Sequence, residues 1–419
     1  MKIGILTIGN ELTTGRIPDT NSAMIARAMH LQGWTLTRMM SVGDNNDEIH
    51  DALAYMLSHV DVVIITGGLG PTADDITTAA VAKAFGLELY TDEATLAYVK
   101  DLFAKRGLPW TENNAKQAVF PKGAKIIANP LGTAAGFSLY IEKKVVMVIP
   151  GVPREAEKLT FDGVIPIIRE AFPDHALHVK SRTFRLFGIA ESAVDQALSG
   201  DNLGEEGIGV GFYPHFPENH LVITVREASE EKAKAKFADA CKRVETRLGK
   251  YIFARDDESL AGNIARLMTE EKLTLSLAES CTGGLIADSL TDIPGSSDYF
   301  ERGVVSYSNE AKTALLKVPT EVIARHGAVS EETARLMAEG IRNLSGTDLG
   351  LAVTGIAGPS GGSDEKPVGI TFIALAQKEK TFCRHYKFRW NRRWNKVAAS
   401  QAALLMLWRH LKGESGDAV

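Results

Sequence analysis

Residues 61–75 read DVVIITGGLGPTADD. The stretch from Val62 to Thr66 is apolar or β-branched without alternation and runs straight into a glycine pair; a third glycine, a proline and two aspartates follow. A continuous run of this kind, closed by glycine, reads as a strand buried on both faces, which is the situation of a parallel sheet covered by helices on both sides. The neighbouring segments agree. KIGILTIG (2–9) is a second buried strand, TNSAMIARAMHLQG (20–33) has helical spacing and stops at Gly33, TLTRMMSV (35–42) is a strand, DEIHDALAYMLSH (47–59) a helix, and residues 75–85 read as a helix. Strand–helix alternation predicts a three-layer α/β domain over residues 1–168, with ligands at the C-terminal ends of the strands, where the glycine-rich loops fall.

The pattern then changes twice. Over 169–252, SRTFRLFG (181–188) and HLVITVREA (220–228) alternate as strands, SAVDQALS (192–199) and EEKAKAKFADACKRVETRL (230–248) are helical, and GFYPHFPENH (211–220) separates them, which predicts a small α+β connecting module. From 253 to 419 a third α/β unit follows. Helix ESLAGNIARLMTEE (258–271) leads to strand LTLSLA (273–278), helices lie within 309–344, strand LGLAVTG (349–355) precedes strands around 368–388, and a last helix spans 392–411. The polar tail 413–419 is expected to be disordered.

The net charge of −5 and pI near 6.1 argue against a general nucleic-acid binder. Cys241, Cys281 and Cys383 are far apart and form neither a disulfide framework nor a CxxC pair, which points to a reducing cytoplasm. No apolar run approaches the roughly 20 residues that cross a bilayer, and the N-terminus reads as a first strand rather than a signal peptide.

Three small-residue loops mark the N-terminal domain: TGGLGPTADD (66–75), NPLGTAAG (129–136) and IPGVPREA (149–156). Glycines allow close backbone approach to phosphate, and helix starts favour anions. Gly67, Gly68, Gly70, Thr72, Gly132, Thr133 and Gly151 are therefore the candidate phosphate contacts. Asp75 is placed to hold a divalent cation beside a phosphate, and SVGDNND (41–47) sets Asp44 at the end of another strand. With GNELTTGRIPDTNS (9–22), these loops resemble the molybdopterin-binding fold, and more closely the N-terminal domain of the competence/damage-inducible (CinA) family. The resemblance implies metal and catalytic roles for Asp44 and Asp75, a divalent metal ion as cofactor, and a pyrophosphatase acting on ADP-ribose.

In the third unit, LAESCTGG (277–284) ends an apolar strand on a serine and opens a helix with two glycines. It is either a tight turn or the seat of a nucleophile. The segment has no GxSxG elbow, and His326 reads as a structural or capping residue, so a serine nucleophile here needs another base, for which lysine is an option. An ordinary lysine is neutral in only about one molecule in 2500 at pH 7, and burial is one way to change that. Lys312, in YSNEAK (307–312), is the candidate. Cys281, adjacent to Ser280, points to the opposite face and reads as a packed residue.

The motifs AESCTGG, VVSYSNEAK, HGAVSEE, TGIAGPSGG and EKPVG resemble the nicotinamide-nucleotide amidohydrolase domain (PncC) found alone or at the C-terminus of CinA proteins. That resemblance implies a cofactor-free serine/lysine hydrolase that converts nicotinamide mononucleotide (NMN) to nicotinate mononucleotide and ammonia, with Ser280 as nucleophile and Lys312 as base. Backbone N–H groups around Thr282, Gly283 and Gly284 are candidates for the oxyanion or the phosphate. Tyr307, Thr354 and Gly355 are candidate pocket residues, and Arg392 is a candidate phosphate contact. The family's F-x-G-x-R pattern has a glycine where this chain has Trp390. The middle module resembles the family's KH-type segment, but FGIAES (187–192) is not a GXXG clamp and its acidic surroundings disfavour RNA. A homodimer is also implied. Two rival readings stay open: a molybdopterin nucleotidyltransferase, and a non-catalytic nucleotide-binding partner in competence or DNA repair.

Overall fold

The computed structural model describes residues 1–175, 177–200, 203–204 and 206–414; residues 415–419 of the polar tail lie outside them. The chain forms two compact units, Met1–Ser181 with Thr224–Ala238, and Arg182–Ile223 with Asp239–Val419.

The N-terminal sheet is built from β1 (Lys2–Ile8), β2 (Thr35–Val42) and β3 (Val62–Thr66), and, after a short antiparallel ribbon of β4 (Leu89–Thr91) and β5 (Val119–Pro121), from β6 (Lys125–Ile127), β7 (Gly136–Ile141) and β8 (Lys144–Ile149). Its order is β2-β1-β3-β8-β7-β6. The β1/β2, β1/β3 and β3/β8 pairs are parallel, as expected. The β7/β8 and β6/β7 pairs are antiparallel, which departs from the all-parallel expectation. The cause is local: only Glu142 and Lys143 join β7 to β8, and two residues make a hairpin but never a crossover. Glu142 takes the left-handed turn conformation at φ 55°. Alternate residues of β3 feed two cores, with Val63 and Ile65 meeting Ile49, Leu53 and Met56 on one face, and Val62 and Ile64 meeting Ile25, Met29 and Leu159 on the other. The three layers follow from that alternation.

The middle module is a four-stranded sheet of β9 (His178–Leu186), β10 (Ile208–His215), β11 (Glu218–Glu227) and β12 (Ile252–Arg255), in the order β10-β11-β9-β12. The stretch around 211–220, expected to separate elements, is instead most of a hairpin whose tip is Phe216–Pro217. Gly209 and Gly211 thin out the alternation that would have marked β10. β12 pairs antiparallel with β9 and so runs across the boundary expected at 252/253.

The C-terminal sheet holds β13 (Leu275–Glu279), β14 (Phe300–Val305), β15 (Leu349–Gly355), β16 (Ile370–Ala376) and β17 (Thr381–Lys387), in the order β14-β13-β15-β16-β17. β13 is buried throughout and pairs parallel with both neighbours. The helices Leu260–Glu270 and Arg392–Leu411 supply the core on one face, through Ile264, Met268, Ala399 and Ala403. The helix Glu331–Ser345 covers the other through Ala334, Met337 and Ile341. The chain is thus a mixed α/β protein, and no described helix is long and apolar enough to cross a membrane.

Candidate functional site

β13, which lies between β14 and β15 in its sheet, delivers Ser280 at its C-terminal end. The Ser280 N–H continues the ladder to Val353 O (3.0 Å), after which the chain turns through Gly283 (φ 64°) and Gly284 (φ 96°) into the helix Leu285–Thr291. Both angles lie where a side chain would be strained, so the glycine pair belongs to the turn itself. The Glu279 carboxylate, itself buried, accepts the N–H groups of Gly284 (2.9 Å), Ile286 (3.3 Å) and Ala287 (2.9 Å). It is the cap of that helix and answers its positive end. The Gly283 N–H donates to Ser280 O (3.2 Å). This corrects one expectation, because the N–H groups of Gly283 and Gly284 are taken by the protein's own acceptors. Of this turn's amides, that of Thr282 has no protein acceptor among the described residues, and that of Cys281 faces only its own Sγ.

Lys312 lies on the helix Asn309–Leu316, whose N-terminus is fixed by the Ser308 hydroxyl accepting from Ala311 N–H. Its side chain turns inward and is 1% exposed, unlike an ordinary helix lysine. Lys312 Nζ stands 3.1 Å from Ser280 Oγ, 2.8 Å from Ser306 O and 3.3 Å from Tyr307 O. Burial holds its pKa below the ordinary lysine value. A neutral amine has two N–H donors and one lone pair. In that form the two backbone carbonyls would satisfy the donors and leave the lone pair for the Ser280 hydroxyl, whereas the ammonium form donates to Ser280 Oγ. The sequence-predicted pair is therefore in contact.

Cys281 is 6% exposed, and burial pushes its thiol up to about 12. A Cβ on Gly355 would stand 3.0 Å from Cys281 Sγ, so the thiol packs against β15. Thr354 is buried and donates to Ala328 O (2.8 Å), tying β15 to the loop before the helix Glu331–Ser345. His326 pairs with Glu332 (3.0 Å), consistent with a structural role. Thr282 Oγ1 and Ser306 Oγ are buried with no partner among the described residues. Tyr307 is exposed, and its hydroxyl accepts from Arg392 Nη2 (2.8 Å), while Arg392 Nη1 donates to Gly358 O (2.7 Å). Sequence reading missed Lys396. It lies one turn beyond Arg392 on the same helix, and its Nζ would be 3.3 Å from a Cβ on Gly283, so a second cation overlooks the nucleophile turn.

In the N-terminal unit a cleft of about 550 Å³ opens at the ends of β1 and β3. Asp44, Asp75, Gly67, Gly68, Gly70, Thr133 and Gly151 line it; Thr72 and Gly132 do not. Several expected phosphate donors are already engaged. Gly67 N–H donates to Ile149 O, Gly132 N–H to Asn129 Oδ1, and Thr72 N–H to Asp75 Oδ2. The glycine pair has a second reason to be glycine: a Cβ would sit 2.2 Å from Ile8 O at Gly67 and 2.1 Å from Thr77 Oγ1 at Gly68.

Asp44 accepts from Asn10 N–H (2.9 Å). Burial first, and then the carboxylates of Glu11, Asp74 and Asp75, push its carboxyl above the ordinary aspartate value against the pull of that N–H. Among the described residues no three His, Cys, Asp or Glu side chains gather into a metal centre. Separate carboxylates on an open cleft fit the other mode, in which one or two hold a hard divalent ion and the ligand's phosphates and water complete its shell. Asn21 and Gln117 also line the cleft, each with a buried carbonyl oxygen that no group among the described residues satisfies. Asn21 Nδ2 donates to Gly151 O (2.8 Å), which fixes Oδ1 as the free acceptor.

Residues 4–170 match the family described as "Probable molybdopterin binding domain", residues 181–254 "Damage-inducible protein CinA KH domain", and residues 257–411 "CinA C-terminal domain". A CinA-like protein of Syntrophus aciditrophicus (strain SB) is 56% identical over 99% of both chains. A CinA-like protein of Geobacter sulfurreducens is 42% identical over 98% of this chain and 99% of its own. The crystal structure of competence/damage inducible protein CihA from Agrobacterium tumefaciens is 43% identical and covers 36% of this chain and 93% of its own, with a TM-score of 0.36. With relatives of this identity aligned from end to end, the chain belongs to the CinA family.

Proposed function

We propose that the C-terminal domain hydrolyses the carboxamide of NMN to nicotinate mononucleotide and ammonia. The observation that carries this reading is the buried Lys312 Nζ, 3.1 Å from Ser280 Oγ and held by two carbonyls. Ser280 Oγ attacks the carboxamide carbon and passes its proton to Lys312 Nζ. The N–H group of Thr282 is the donor open to the developing oxyanion. Collapse of the tetrahedral adduct breaks the C–N bond, and the proton on Lys312 leaves with ammonia. Water then attacks the Ser280 ester, Lys312 takes its proton, and the carboxylate departs as Ser280 recovers its hydrogen. Arg392 and Lys396 supply the positive charge that meets the substrate phosphate.

The same proposal gives the N-terminal cleft to ADP-ribose as a pyrophosphatase. A divalent ion held by Asp44 and Asp75 would neutralise the diphosphate charge. Phosphate oxygens only accept hydrogen bonds at neutral pH, so the free Asn21 and Gln117 oxygens suit a ligand that also donates, as ribose hydroxyls do.

The test is ammonia and nicotinate mononucleotide release from NMN by wild type, Ser280→Ala and Lys312→Ala, without added metal. Turnover lost in both folded variants supports the dyad. No turnover in the wild type overturns the deamidase reading and favours ligand binding without catalysis.

A further inference from the structure

The middle module has no chemical constellation of its own, yet the tip of its β10–β11 hairpin meets the segment that carries the cations of the deamidase site. Phe216 packs edge-on against Trp390 (4.6 Å between centroids, 76°) and Trp394 (4.8 Å, 68°). Trp390 in turn stacks on Phe388 (5.9 Å, 27°). Two residues beyond Phe216, the carboxylate of Glu218 is 8% exposed and receives Arg185 Nε (2.9 Å) and Gln401 Nε2 (3.1 Å), the latter from the helix Arg392–Leu411. The hairpin thus grips this helix at two points, one aromatic and one polar.

The aromatic grip falls on the beginning of the helix and the three residues before it, and the polar grip lies further along at Gln401. Asn395 brackets Trp390, accepting from its N–H (3.1 Å) and donating to its carbonyl (2.9 Å), and also donates to Ala357 O (3.0 Å). Arg392 lies between Trp390 and Trp394, and Lys396 two residues beyond Trp394. Trp390 and Trp394 keep 48% and 43% of their surface exposed, so they form a rim rather than core. A glycine at 390, as in the F-x-G-x-R pattern, would leave Phe216 only Trp394 to pack against.

We infer that the β10–β11 hairpin is a positioning element of the deamidase site: Phe216 holds the 388–396 arm, Glu218 anchors the same helix further along at Gln401, and together they set Arg392 and Lys396 where the substrate phosphate arrives. The inference rests on the proposed deamidation of NMN. Phe216 touches no reacting atom; it acts through the arm. Its removal therefore weakens recognition of the phosphate and leaves the Ser280–Lys312 chemistry intact.

The experiment uses the full chain and two amide substrates, NMN and its phosphate-free counterpart nicotinamide riboside. Phe216→Ala is expected to raise KM for NMN by about tenfold with kcat within about twofold, the signature of lost ground-state binding. KM for the riboside stays unchanged, and Phe216→Tyr restores the wild-type value. Should Phe216→Ala not fold, Glu218→Gln, which loosens the polar grip, is expected to give the same phosphate-dependent rise at smaller size. A lowered Tm with KM for NMN unmoved overturns the inference and leaves the hairpin a brace. An equal rise for both substrates overturns it too, since the effect then bypasses the phosphate. A wild type that turns over neither substrate fails at the earlier step and removes the deamidase reading itself.

Discussion

Lys312 shows how one residue can be costly to the fold and useful to the chemistry for the same reason. Burial disfavours its ammonium form, so its pKa in the folded chain lies below that of the unfolded chain. Between those two values the unfolded state binds one more proton than the folded state, and stability rises with pH across that window. Denaturant titrations carried up towards the ordinary lysine pKa are expected to show that rise in wild type and a flatter profile in Lys312→Met. The rate has the same sign: kcat for NMN should climb with pH through the lowered pKa, because only the neutral amine accepts the Ser280 proton. Lys312→Arg is expected to lose on the order of 10³-fold or more in kcat/KM, as Ser280→Ala does, since a guanidinium stays charged. Cys281 behaves oppositely. Its thiol is pushed to about 12, so thiol alkylation at pH 7 should leave activity intact. Cys281→Ala should stay active while losing roughly 1–2 kcal/mol of stability to the space it opens.

At the scale of elements, the turn between β13 and its helix carries its own anion. Replacing Glu279 by Gln removes a charged cap that serves three N–H groups, with an expected loss of about 1–2 kcal/mol measured by thermal or denaturant unfolding. That capping was not legible beforehand, because a glutamate at the end of an apolar strand gives no sign of folding back over the next helix. Much else was. β3 announced itself as an unbroken apolar run ending in glycine, and β13 as a largely apolar run ending at Ser280 ahead of a glycine pair, from which the Ser280 turn followed. The β7–β8 hairpin was missed because Glu142-Lys143 lacks the Asn-Gly or Gly signal of a two-residue turn. Lys312 could be matched to Ser280 by resemblance, yet nothing in the periodicity of its helix distinguished an inward lysine from a solvated one. Lys396 had even less to mark it: its role comes from where the last helix lies over Gly283, a contact made far along the chain. The glycine loops of the N-terminal domain were read as phosphate cradles, but Gly67 and Gly68 also answer to the backbone of β1 and to Thr77.

On the scale of the molecule, the Ser280–Lys312 pair belongs to one compact unit and the 550 Å³ cleft to the other. The two activities should therefore be separable by mutation. Ser280→Ala is expected to abolish NMN deamidation and spare ADP-ribose hydrolysis, and Asp44→Asn to do the reverse. Removing divalent ions with EDTA should silence only the ADP-ribose reaction, as read by parallel assays of AMP and ammonia release. The aromatic grip described above also has an optical consequence. The chain has five tryptophans. Trp34 and Trp408 are almost fully enclosed, at 4% and 7% exposed, whereas Trp390 and Trp394 flank Phe216 at the rim of the proposed deamidase site. Half-exposed indoles respond to solvent and to nearby ligands far more than enclosed ones, so intrinsic fluorescence is a built-in, label-free gauge of that rim.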